Sequence, residues 1–98
     1  MITYRIYQIK DIENTDYAFR GYDSKKFNFM DYECLGEGEF DVVGKTDIEI
    51  CETIFYVFNM RKPADFEGHS LSMSDVIELD DGIACKRYYC DTFGWVSV

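Results

Sequence analysis

The sequence predicts a small α+β domain: an antiparallel or mixed sheet with one main amphipathic helix packed on one face. Three observations carry this. The chain opens with β-branched and aromatic residues in strand-like alternation, a capped segment with an apolar stripe follows mid-chain, and a D-D-G turn joins two strand-like runs near the end. With 98 residues there is material for one core and no second, so a single domain over residues 1–98 is expected.

Each element has a local cause. In ITYRIYQI (2–9), Ile2, Tyr4, Ile6 and Gln8 alternate with Thr3, Arg5, Tyr7 and Ile9, which reads as a first strand. The segment DIENTDYAFRGYDSKKFNFMD carries turn formers at Asn14, Gly21 and Asp23, and is expected to be a loop with one or two short helical turns. Its aromatics Tyr17, Phe19, Tyr22, Phe27 and Phe29 must find cover in the core. In YECLGEGEFDVV (32–43), Glu33, Glu37, Glu39 and Asp41 occupy odd positions, and Tyr32, Cys34, Phe40 and Val42 even ones. Period two then places the acids on one face of a strand and the apolar groups on the other. Gly36 and Gly38 weaken the strand and mark a bulge or a close approach by another backbone.

Thr46 and Glu49 form a T-x-x-E capping box, and Asp47, Glu49 and Glu52 put negative charge near the positive end of the helix dipole. Ile48, Cys51, Ile54, Phe55 and Phe58 make the apolar stripe, Arg61 and Lys62 suit the carbonyl end, and Pro63 forbids continuation. VIEL (76–79) and IACKRYYC (83–90) flank Asp80, Asp81 and Gly82, which signals an antiparallel hairpin. A last turn at Asp91 to Gly94 leads into WVSV, a short final strand.

Composition excludes several classes. Apolar residues make up 47% and aromatics 17%, enough for a packed interior. No run approaches the roughly 18 to 20 apolar residues that span a bilayer, and MITYRIYQIK lacks a secretory pattern, so a soluble, cytoplasmic protein is expected. The net charge of −9 repels phosphate backbones and anionic lipids, which argues against direct nucleic-acid or membrane binding and favours a protein partner with a basic surface. Cys34, Cys51, Cys85 and Cys90 contain no C-x-x-C pair, and one histidine completes no usual zinc spacing; no metal and no cofactor is expected, and the thiols read as reduced. Cys85 and Cys90 are five apart and fall on opposite strand faces; both, with Cys51, read as buried small hydrophobes. Nucleotide-binding glycine loops and EF-hand spacing are absent from the sequence.

Two candidate sites remain. His69 stands among Ser70, Ser72, Ser74 and Asp75, the residue types of a hydrolase triad. However, GHSLS lacks the closing glycine of a nucleophile elbow, and short serine and aspartate side chains before an apolar run are ordinary turn chemistry. No catalytic residue is therefore assigned; a small hydrolase using His69 is the alternative. The second candidate is the acidic array of Glu33, Glu37, Glu39 and Asp41. It is either a solvated strand face or a phosphate-like array that fits the basic groove of a nucleic-acid-binding defence protein.

The succession IYQIK, DYAFRGYDS, FNMRKPADFEGHSLSMSDVIEL and YYCDTFGW resembles the YodL-like domain of bacterial proteins, many of them encoded on plasmids and conjugative elements. The likeness spans nearly the whole chain. Its most specific part pairs F-x-G-H-S-L-S-x-S-D-V-I with a later Y-Y-x-D-x-F-G-[FW]: here Phe66, Gly68, His69, Ser70, Leu71, Ser72, Ser74 and Asp75, then Tyr89, Asp91, Phe93 and Gly94. The resemblance implies an accessory or protein-interaction role in a mobile element, and no catalytic mechanism. Physically the signature reads as two turns at one end of a hairpin. Asp75 and Asp91 are expected to accept main-chain hydrogen bonds there, with His69 bridging them or packing on Phe93.

Overall fold

Ile2–Ile9 forms the expected first strand, β1, and Tyr32–Phe40 pairs with it as β2. The helix α1 (Asp47–Met60) follows, then β3 (Val76–Asp80), β4 (Cys85–Cys90) and β5 (Trp95–Ser97). The structure, a computed structural model, describes residues 1–41 and 44–98. All pairings are antiparallel, in the spatial order β2-β1-β3-β4-β5, so the sheet is antiparallel throughout and α1 is its one main helix. Among the described residues, no helix is long and apolar enough to cross a membrane.

Thr46 caps α1 as its sequence requires. The Thr46 hydroxyl accepts from the Glu49 amide at 3.2 Å and the Glu49 carboxylate accepts from the Thr46 amide at 3.0 Å. Thr46→Ala is expected to cost about 1 kcal/mol, seen in thermal melts as a fall of about 4–8 °C in Tm. The stripe is rotated from the expected one. Ile50, Cys51, Ile54 and Phe58 are buried, whereas Ile48 is 42% exposed against 1% for Ile50. At 3.6 residues per turn Ile48 lies about 100° round from the centre of the buried set, so Ile50 takes the place the spacing assigned to Ile48. Phe55, at the stripe's border, packs edge-on against Trp95.

The helix covers one face of the sheet: Ile2, Ile6, Ile77 and Leu79 meet Ile50, Cys51, Ile54 and Phe58, with Phe66 and Leu71 of the connector closing the end. The opposite face also has a core, built by the loop between β1 and β2. Tyr17 packs with Ile9, Tyr32, Val76 and Tyr89, and Tyr7, Tyr22, Phe27 and Phe29 pack around them. Loop aromatics thus do the work of a second helix. Phe19 departs from expectation by staying 44% exposed.

Beyond this aromatic cluster the same face carries a row of alternating charge. Register places Glu37, Arg5, Glu78 and Arg87 side by side on four strands. Arg5 bonds Glu37 at 3.2 Å and Glu78 at 2.9 Å, and Arg87 bonds Glu78 at 3.0 Å while lying over the Phe29 ring. Burial alone would raise the Glu78 carboxyl, yet the bonds from Arg5, Cys85 and Arg87 hold it below its usual value.

The closing hairpin forms as expected, with β3 one residue longer than VIEL and β4 two residues shorter than IACKRYYC. Asp81 Oδ1 accepts from the Ile83 and Ala84 amides, and Gly82 takes φ +91. Cys85 and Cys90 do lie on opposite faces, but Cys85 is exposed, which corrects its reading as a buried hydrophobe. Burial pushes the Cys51 and Cys90 thiols up to about 12, so both stay protonated and unreactive at neutral pH.

Candidate functional site

Gln8 prolongs the alternation of Ile2, Tyr4 and Ile6, and so carries an amide into the helix side of the sheet, where it is 0% exposed. A buried amide must be bonded. Its Nε2 donates to Asp75 Oδ2 at 3.0 Å and to the His69 carbonyl at 3.0 Å. Asp75 Oδ2 also accepts from the Ser72 amide at 3.0 Å. Both hydrogens of the Gln8 amide are thereby used. His69 Nδ1, 3.2 Å from Gln8 Nε2, must then hold its own proton, which it gives to the Ser70 carbonyl at 2.7 Å. Burial pushes the Asp75 carboxyl up to about 6, partly offset by the Ser72 amide, Gln8 and the nearby His69.

Two further contacts enclose this network. Gly68 lies against the Gln8 side chain so closely that an added Cβ would collide with Oε1, and would stand 2.7 Å from the Phe66 ring. Gln8 Oε1 itself has no hydrogen-bond partner among the described residues. The Phe66 ring covers Gly36, while Tyr4 covers Gly38. The close approach at both strand glycines is thus by aromatic rings and not by the other backbone expected there.

The second turn is stitched to the first through the 17–22 segment. Ser74 has φ 77 and Phe19 φ 62, conformations rare for residues with a Cβ, and the two are joined: the Phe19 amide donates to Ser74 Oγ at 2.9 Å. The Tyr32 hydroxyl donates to the Ser74 carbonyl, and the Ser74 and Cys90 amides donate to the Cys90 and Asp75 carbonyls. Asp91 Oδ1 accepts from the Tyr22 amide at 2.9 Å and the Thr92 amide at 2.7 Å, while the Tyr89 hydroxyl donates to the Arg20 carbonyl. The Asp91 amide donates to the Gly94 carbonyl, and Gly94 takes φ +80. Asp75 and Asp91 therefore accept main-chain hydrogen bonds, as their places before and after the strands imply. His69 bridges neither pair: its ring is tilted on Phe19, 5.4 Å between centroids, and Phe93 stands 94% exposed.

The acidic array is not one face. Gly36 stands opposite Ile6 and Cys34 opposite Tyr7, so Leu35 is the extra residue of a bulge. Directly opposed residues share a face: Glu37 and Glu39, opposite Arg5 and Thr3, lie with Cys34 on the loop side, and Glu33, opposite Gln8, lies on the helix side. Cys34, expected inside, shares the loop-side face with buried Tyr32 but is exposed on the edge strand. Asp41 follows the end of β2 and is exposed; the strand expected over 32–43 stops at Phe40, and Val42 and Val43 lie outside the described residues. Glu37 is held by Arg5.

Chemically, the His69 ring donates from Nδ1 to the Ser70 carbonyl, and among the described residues its ring nitrogens bond neither a hydroxyl nor a thiol. Ser74 Oγ accepts from Phe19, and Ser72 Oγ reaches the Met73 carbonyl at 3.5 Å. What the arrangement does is hold three distant segments together. The signature residues Phe66, Gly68, His69, Ser72, Ser74, Asp75, Tyr89 and Asp91 all meet at this end of the sheet, with Ser70 exposed beside them. Gln8 and Phe19 were not singled out from the sequence. Gln8 had a signal, being the one amide on an apolar strand face; nothing local marks Phe19.

No curated protein and no solved structure matches the chain. The model of one family, the YodL-like domain, matches residues 3–98. That span takes in β1, the loop, the helix and both signature turns, and with nearly the whole chain matched the protein belongs to the YodL-like domain family.

Proposed function

We propose that the chain is a non-enzymatic accessory domain of a bacterial mobile genetic element, working in the cytoplasm by binding another protein through the end of the sheet where the two signature turns meet. One observation carries this reading: the Asp91–Gly94 turn is fixed by internal hydrogen bonds, yet holds Phe93 94% exposed. An aromatic ring kept outside on a rigid support loses little entropy on binding and makes a strong recognition anchor. Half-exposed Phe19 belongs to the same end.

The other readings have less behind them. A hydrolase needs a base beside its nucleophile, and His69 bonds a carbonyl instead. A nucleic-acid mimic needs its acids on one surface, whereas Glu33 is turned away from Glu37 and Glu39, and Glu37 bonds Arg5, which it shares with Glu78 and Asp80. Phe93→Ala tests the reading. The full chain, tagged and used to capture partners from its native host, should lose its specific partner about tenfold with this variant, while stability changes by less than about 0.5 kcal/mol. Equal capture by both proteins would remove the proposal.

A further inference from the structure

The outer side of β2 is an open sheet edge. Nine residues run along it, and apart from the Tyr32 amide, which donates to the Phe29 carbonyl, and the Cys34 thiol, which reaches the Gly36 carbonyl at 3.5 Å, no group pairs with its outer side among the described residues. Beside residues 35–37, on the helix side of the sheet, lies a cleft of about 360 Å³. The Tyr4, Phe58 and Phe66 rings line it, packed edge to face at 6.0 and 5.0 Å, and Asp65 stands exposed on its rim. Among the described residues no cation pairs with Asp65: Arg5 is turned to the other face by register, and Lys62 donates to the Gly68 carbonyl at 3.2 Å.

An aromatic floor with an unpaired carboxylate at its rim matches one kind of side chain, a long apolar stem ending in a cation. A free strand edge beside a pocket matches one kind of ligand, an extended peptide whose main chain continues the sheet while alternate side chains enter the pocket. We propose that the outer edge of β2 and the adjoining cleft take an extended segment of another protein, with an arginine or lysine seated over Tyr4, Phe58 and Phe66 and paired with Asp65. A second copy of this chain is the wrong occupant. Pairing β2 with itself would bring Glu33, Glu37 and Glu39 of two copies against one another, and opposed like charges disfavour a sheet. This surface shares Phe66 with the signature residues but includes neither Phe93 nor Phe19, so the two proposals fail independently.

The test titrates the full chain, isotope-labelled for amide NMR, with an eight-residue probe peptide of alternating threonine and valine that carries two arginines. Controls replace both arginines by glutamate, or N-methylate alternate amides. The arginine peptide should shift the signals of residues 33–39 and of Tyr4 and Phe66, and bind about tenfold or more tighter than either control. Asp65→Lys, at an exposed position, should weaken the arginine peptide by a similar factor with an unchanged circular dichroism spectrum. Equal binding of the arginine and glutamate peptides, undiminished binding of the methylated one, or shifts confined to other elements would overturn the proposal. So would a chain that dimerises through β2 by light scattering.

Discussion

Asp75→Ala is expected to be the most damaging substitution at the signature end, lowering stability by about 3 kcal/mol and Tm by about 12–24 °C. Removing the carboxylate leaves one hydrogen of the buried Gln8 amide and the Ser72 amide without their acceptor. The cost is that of stranding donors, and exceeds what a single bond contributes when both partners are lost. Chemical denaturation measures it directly; a change under about 1 kcal/mol would mean that the network contributes little.

The same residue governs a pH response whose sign runs opposite to the usual carboxylate. Burial raises the folded carboxyl from 3.8 to about 6, so the folded state binds more protons than the unfolded state between those values. Stability contributed by the protonated form is complete below about pH 4 and is lost as pH rises to about 6, by roughly 2–3 kcal/mol. Carboxylates held low, Glu78 and Asp81 among them, pull the other way and lose their contribution as pH falls below about 4. Asp75→Asn keeps an acceptor for Gln8 and Ser72 and removes the charge. Its urea midpoint should be level from pH 4 to 6, where that of the natural protein falls; a slope retained in the variant would assign the effect to another group.

Gly68→Ala should cost about 2–3 kcal/mol, since a single methyl group must displace the Gln8 amide and the Phe66 ring together. Gly94→Ala is the comparison that decides the cause. Its Cβ would meet nothing within 4 Å, and its penalty comes from φ +80 alone, about 1–2 kcal/mol. Thermal melts of the two variants should therefore rank Gly68→Ala as the worse. The reverse order would mean that Gln8 and Phe66 yield easily, and that Gly68 is needed for something other than room.

How much of this end was legible follows from how far apart its residues lie. The turns at Asp81–Gly82 and Asp91–Gly94, the cap at Thr46 and the bonds from the Ser72 amide to Asp75 and from the Thr92 amide to Asp91 involve neighbours within a few positions, and each forms as its local sequence implies. The Gln8–Asp75 bond joins residues 67 apart, and Phe19 meets Ser74 across 55. No spacing rule reaches so far. The place of His69 on Phe19 rather than Phe93 was invisible for the same reason, and so was the exposure of Phe93 itself.

By itself the sequence determined the α+β class, the order of elements and the reach of β1 and α1, because alternation, capping and proline act through adjacent turns of backbone. Only the tertiary structure decided the strand order β2-β1-β3-β4-β5, the aromatic loop that covers the second face, and the bulge at Leu35 that parts Glu33 from Glu37 and Glu39. The reason is one of distance and count. A strand's partners are chosen by burial across space, and one extra residue in a ladder exchanges the two faces without altering the residue types that make the strand.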